Sequence, residues 1–177
     1  MFSITEQTAT LAHINVRTER HGEEPAGAAD LKVQYAAGNG TLSEFHPRLR
    51  HALYKAEEDP QQGSVDGVQQ EPTVRVFGDL IEKIRLKHAL VGAKVLIGFG
   101  LGGPDSDIEL DPADVDGFAL ELMEGGTVIT SFRVKCHPSG EQIKKLYEVL
   151  GNEITISITP AQEKQQTLGL NLEPEAA

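Results

Sequence analysis

Three groups of residues in this 177-residue chain have types and spacings that could do chemistry. The first is Gly98-x-Gly100-x-x-Gly103, which follows a strand-like run with the spacing of a dinucleotide-binding turn. That turn works because its last glycine opens a helix whose N-terminal amides hold a pyrophosphate. Here Pro104-Asp105-Ser106-Asp107 and the alternating Ile108-Glu109-Leu110 come next, so no amphipathic helix is expected. From Asp105 to Glu124 eight carboxylates occur without one basic side chain, a field that repels a diphosphate. The glycines are therefore read as a link between strands.

The second group is that acidic run itself. Asp105, Asp107, Glu109 and Asp111 stand at alternate positions, with Asp114 and Asp116 close by. Oxygen-rich calcium loops use such spacing, but they need a glycine at the sixth position, where Leu110 stands. The expectation is a solvated acidic strand face, with no metal or cofactor assigned, that could dock on a basic protein. The third group is Lys83, Arg85 and Lys87, which share one face if the segment is extended. Such a stripe could meet a phosphate backbone or an acidic groove, although no aromatic residues interleave there to stack on bases.

Other reactive types give less. The six histidines form no HExxH pair, and neither a Gly-x-Ser-x-Gly elbow nor a Walker loop is present, so no catalytic residue is assigned. The single cysteine, Cys136, excludes an internal disulfide and ends an alternating segment, which predicts a buried thiol. His137 beside it would point to the opposite face of a strand. A formal charge of −11 argues against broad grip on nucleic acid but leaves room for a small basic patch. The first residues, MFSITEQTATLAHINV, lack a basic start and an apolar core, and no stretch reaches 18 apolar residues. No membrane span and a cytoplasmic location are expected.

The elements that must position these groups are mostly strands. Ala12, Ile14 and Val16 alternate with polar residues, as do Leu31, Val33 and Tyr35, with a polar connection over 18–27. Pro47, Leu49, Ala52, Leu53 and Ala56 predict a short helix near 47–56. The segment 57–72 reads as an exposed loop. A strand is favoured from Ile84, running on to Val91, Ala93, Val95, Ile97 and Phe99 as core positions. Ile108 and Leu110 form a short strand. Phe118, Leu120 and Leu122 face Val128 to Cys136 across a Glu124-Gly125-Gly126 hairpin turn. Arg133 and Lys135 then lie within reach of the Glu121 face, depending on register. Ser139 and Gln142 form a capping box for a helix at 140–150, and Ile154, Ile156 and Ile158 mark a last strand. The whole is a mainly β (α+β) chain, either an antiparallel sandwich or a strongly curved sheet. A single domain over 1–160 and a flexible tail over 161–177 are expected.

Two stretches carry a family resemblance. Ala12-His13-Ile14-Asn15-Val16-Arg17-x-Glu19-x-His21-Gly22 followed by Ala29-Asp30-Leu31-Lys32-Val33, and later Glu124-Gly125-Gly126-Thr127-Val128 with Phe132-Arg133-Val134, resemble uncharacterised early-region proteins of tailed bacteriophages and prophages. The resemblance spans most of 12–159 and carries no catalytic residues. It implies an accessory protein that inhibits a host factor or assists DNA recombination or replication. The leading expectation is a non-enzymatic protein with an acidic docking surface for a protein partner. Nucleic-acid contact through Lys83, Arg85 and Lys87 is the alternative, and a divalent-metal enzyme ranks third. A homodimer is also open, since an unpaired sheet edge needs cover.

Overall fold

Alternation of apolar and polar residues builds nine strands among the described residues of this computed structural model, which describes 2–21, 24–57, 71–100 and 106–161. They are β1 (Ile4–His21), β2 (Glu24–Gly38), β3 (Tyr54–Lys55), β4 (Val74–Arg75), β5 (Lys83–Arg85), β6 (Leu90–Gly98), β7 (Ile108–Leu122), β8 (Thr127–Cys136) and β9 (Glu153–Thr159). Three helices accompany them: α1 (Leu42–Phe45), α2 (Leu49–Leu53) and α3 (Gly140–Glu148). The main sheet is antiparallel in the order β5-β7-β6-β9-β1-β2-β8, and β7 also pairs with β8. Six strands thus close into a ring. Of the two expected architectures, the strongly curved sheet is the one seen, curved far enough to meet itself.

Strand length explains the closure. β7 pairs with β6 through Ile108–Val115 and with β8 through Asp114–Leu122, while β5 takes the edge that β6 leaves at Ala119–Glu121. Register shifts at Leu11/His13, Leu90/Ala93 and Asp116/Ala119 add the twist a small barrel requires. Two of these shifts move residues away from their predicted faces. Ala12 falls in the first and is exposed, leaving Leu11 and Ile14 inside. Val91 falls in the second and is 74% exposed, while Leu90 turns inward.

Other predicted boundaries shift for physical reasons. The polar stretch 18–27 is ladder, paired from Thr18↔Gly27 to His21↔Glu24, so β1 and β2 extend as an arm. The helix near 47–56 is only α2, because Tyr54 is drawn into β3, where its hydroxyl donates to the Met123 and Thr127 carbonyls. The helix at 140–150 is α3, and its predicted capping box is present: Ser139 accepts from the Gln142 amide and Gln142 accepts from the Ser139 amide. The short strand at Ile108 and the later Phe118 strand are one continuous β7. The hairpin turn forms as predicted, with Gly125 and Gly126 at φ of 77° and 81°. Of the loop expected over 57–72, residues 58–70 lie outside the described residues, as do 162–177 of the expected tail.

Inward residues of the ring fill its interior, among them Leu11, Leu31, Val33, Val95, Ile97, Val115, Val134 and Ile156, all fully buried. α3 crosses from β8 to β9 at one end and buries Leu146 there. Rings of Phe2, Phe45, Phe118 and Phe132 pack with His88 elsewhere in the same core. No helix among the described residues is long and apolar enough to cross a membrane. The barrel's closure also removes the open ring edge on which the homodimer expectation leaned; the β1–β2 arm and β5 keep free edges.

Candidate functional site

Outward positions on a closed barrel repeat every second residue, so ladder register decides which side chains meet. Along β1, β2, β8 and β7 one row reads His13, Lys32, Arg133, Asp116, and the next reads Asn15, Asp30, Lys135, Asp114. A third row carries Gln34, Ser131, Ala119 and Arg85, and Lys83 pairs with Glu121 beyond it. Part of these rows lines a cleft of about 610 Å³, with Asp114, Asp116 and Lys135 outside its lining. Among the described residues its charged lining is Lys32, Lys83, Arg85 and Arg133 against Asp30, a basic site on a chain of net charge −11.

Ion pairs tie down part of that charge. Arg17 pairs with Asp30, and Lys83 lies 3.6 Å from Glu121. Asp116 holds two cations at once, Arg133 at 2.9 Å and Lys135 at 2.7 Å. Arg133 lies directly across the ladder from it and Lys135 diagonally; beyond Asp116 the ladder bulges, and Gly117 there takes a φ of 67° that a side chain would strain. Burial pushes the Asp116 carboxyl up, but hydrogen bonds and charges from Arg133 and Lys135 outweigh it and hold the group below its ordinary value. These pairs therefore stabilise the fold at neutral pH and are lost as pH falls through that lowered value. Lys32 and Arg85 have no carboxylate partner among the described residues.

The sequence-predicted groups separate on this surface. Lys83 and Arg85 line the cleft, whereas Lys87 is exposed beyond β5 and does not. On the acidic run, Glu109 pairs with Lys94 at 2.9 Å, Asp107 accepts from the Phe99 amide, and Asp114 accepts from the Gly92 amide. Asp111 is exposed, and Asp105 lies outside the described residues. Arg133 and Lys135 meet Asp116 rather than Glu121. Gly98 ends β6 and Ile108 opens the antiparallel β7, while Gly103 lies outside the described residues. Among the described residues, no three His, Cys, Asp or Glu side chains converge into a set able to hold a metal. His13, Asn15, Lys32, Ser131 and Arg133 were not singled out from sequence as one site. Their only signal was outward placement on alternating strands.

Cys136 lies beneath this wall, opposite Ala29 in the ladder, with its thiol 3.6 Å from the Ala29 carbonyl. Burial pushes the thiol up to about 12; the Asp30 charge adds to this and Arg17 opposes it. Since the thiolate is the reactive form, Cys136 should resist iodoacetamide at pH 8 in the folded protein and react fully in denaturant. Mass spectrometry of both samples checks this; ready labelling of the folded chain would contradict the buried position.

No family model matches the chain, and no curated protein or solved structure does so either.

Proposed function

We propose that this chain is a non-enzymatic, cytoplasmic accessory protein that contacts nucleic acid through the basic cleft on its barrel wall. One observation carries the reading: Lys32 and Arg133 stand directly opposite each other in the β2–β8 ladder, at the centre of the concavity. Like charges so placed destabilise a sheet. Asp116 relieves Arg133, but Lys32 has no carboxylate partner among the described residues. A phosphate backbone entering the cleft neutralises both, and Lys83 and Arg85 extend the contact along the wall. The resemblance to phage early-region proteins fits an accessory role in recombination or replication.

The test is fluorescence anisotropy of a labelled oligonucleotide over a salt series. With each phosphate contact contributing about −0.7 to the log–log slope for a single strand, four cations predict a slope of about −3. Replacing Lys83 and Arg85 by alanine should lower the slope by about half, in proportion to the contacts removed. Binding that ignores salt, or no binding at low salt, would sink the proposal.

A protein partner on the acidic face is the competing reading, favoured by Glu109 and Asp111, both exposed on the first half of β7. Its test belongs on those two residues. Asp107 and Asp114 bond to backbone amides, so neutralising them also disturbs the β6–β7 pairing.

A further inference from the structure

We infer that a phosphate backbone crosses β7 at Gly117 and Ala119, gripped from both sides, and that the small, uncharged Ala119 keeps this crossing open; this rests on the nucleic-acid reading above. The cleft's cations stand on either side of β7. Lys32 and Arg133 lie on β2 and β8, and Lys83 and Arg85 lie on β5. Both β8 and β5 pair with β7, and neighbouring strands are about 4.8 Å apart, so the two flanks are about 10 Å apart. A ligand that touches both must pass over β7.

Outward positions along β7 carry Glu109, Asp111, Asp114, Asp116 and Glu121. The longest interval of the strand without a carboxylate runs from Gly117 to Leu120, and Gly117 and Ala119 there line the cleft. Ala119 stands in the row between Ser131 and Arg85, so its methyl group faces outward. It is nonetheless only 7% exposed, as a residue on the floor of a concavity is. Three of the flanking carboxylates already hold cations: Glu109 has Lys94, Asp116 has Arg133 and Lys135, and Glu121 has Lys83. A phosphate passing over any of these competes with an anion in place. Over Gly117 and Ala119 it meets no such competitor. The Ser131 hydroxyl, only 3.5 Å from the Ala119 carbonyl and so weakly held, supplies a donor beside the floor.

The experiment measures anisotropy of one labelled single-stranded oligonucleotide over a salt series, with the full chain and four variants, each also melted. Lys32→Ala and Arg85→Ala remove one cation from each flank, and neither residue has a carboxylate partner among the described residues, so both should melt with the parent. Each should lower the log–log salt slope by about 0.7, because one ligand touches both flanks. Ala119→Glu should weaken binding about tenfold at low salt, and Ala119→Gln, equal in length but uncharged, by about threefold or less. A slope changed by only one of the two alanine variants overturns the crossing while leaving nucleic-acid contact in place. Folded Ala119→Glu binding as tightly as Ala119→Gln does the same. If the Ala119 variants melt early, the Lys32 and Arg85 pair decides alone. A parent that fails to bind at low salt overturns the nucleic-acid reading itself.

Discussion

Reversing the two charges at the centre of the cleft, with Lys32→Glu and Arg133→Glu together, should abolish nucleic-acid binding and leave the barrel folded. The expected loss is at least about a hundredfold at low salt, since two phosphate contacts become two repulsions. The barrel should stay folded at some cost, because the reversal sets two carboxylates opposite each other beside Asp116. Lys32 is exposed with no ion partner among the described residues, and Lys135 stays within 2.7 Å of Asp116 when Arg133 is gone. The Arg133–Asp116 pair is solvent-accessible, and breaking such a pair costs about 1 kcal/mol or less. Anisotropy and thermal melting on the same sample separate the outcomes. Unchanged binding with an unchanged melting point would remove the cleft from consideration.

Phe118→Ala should have the largest effect on stability. Its ring lies 4.9 Å from Phe2, 5.3 Å from Phe45, 5.5 Å from His88 and 5.6 Å from Phe132, centroid to centroid. Truncation removes the shared member of these contacts and opens a cavity, at a cost of about 3–5 kcal/mol. Against the usual 5–15 kcal/mol of total stability this is a large fraction. The melting temperature should fall by about 10 °C, taking roughly 2–4 °C per kcal/mol for a chain of this size. Phe77, 48% exposed, provides the control, and its alanine variant should melt close to the parent. Equal melting points for the two variants would mean that the ring cluster does not carry the core.

What could be read in the sequence was whatever depends on neighbours along the chain. Leu31, Val33 and Tyr35, then Val128, Thr130, Phe132, Val134 and Cys136, and Ile154, Ile156 and Ile158 all occupy buried positions as their alternation predicts. Ser139 and Gln142 form the predicted cap. Bulges broke the period at Ala12 and Val91, because one extra residue exchanges inside for outside. Pro112 and Gly117 hid the continuity of β7, since both residues ordinarily interrupt strands. The site was harder still. Lys83 and Arg85 share a short segment and were visible as a pair, but Lys32 and Arg133 are distant in sequence and meet only through the β2–β8 register. The partner of Arg133 likewise depended on whether Asp116 or Glu121 lay across the ladder.

The two-cation grip of Asp116 changes what a ligand must do on arrival. Beside the cleft the chain already supplies an anion of its own, the Asp116 carboxylate between Arg133 and Lys135. A phosphate approaching that place displaces a carboxylate rather than finding a bare charge. Association there is an exchange, and its free energy is the difference between two similar pairings instead of the whole of one. Of the cleft cations, Lys32 and Arg85 have no carboxylate partner among the described residues, so an incoming phosphate would gain an unshared contact there. On the nucleic-acid proposal, such a surface would hold a polymer by many shallow exchanges and release it readily, as suits a protein that travels along its ligand rather than locking onto one position.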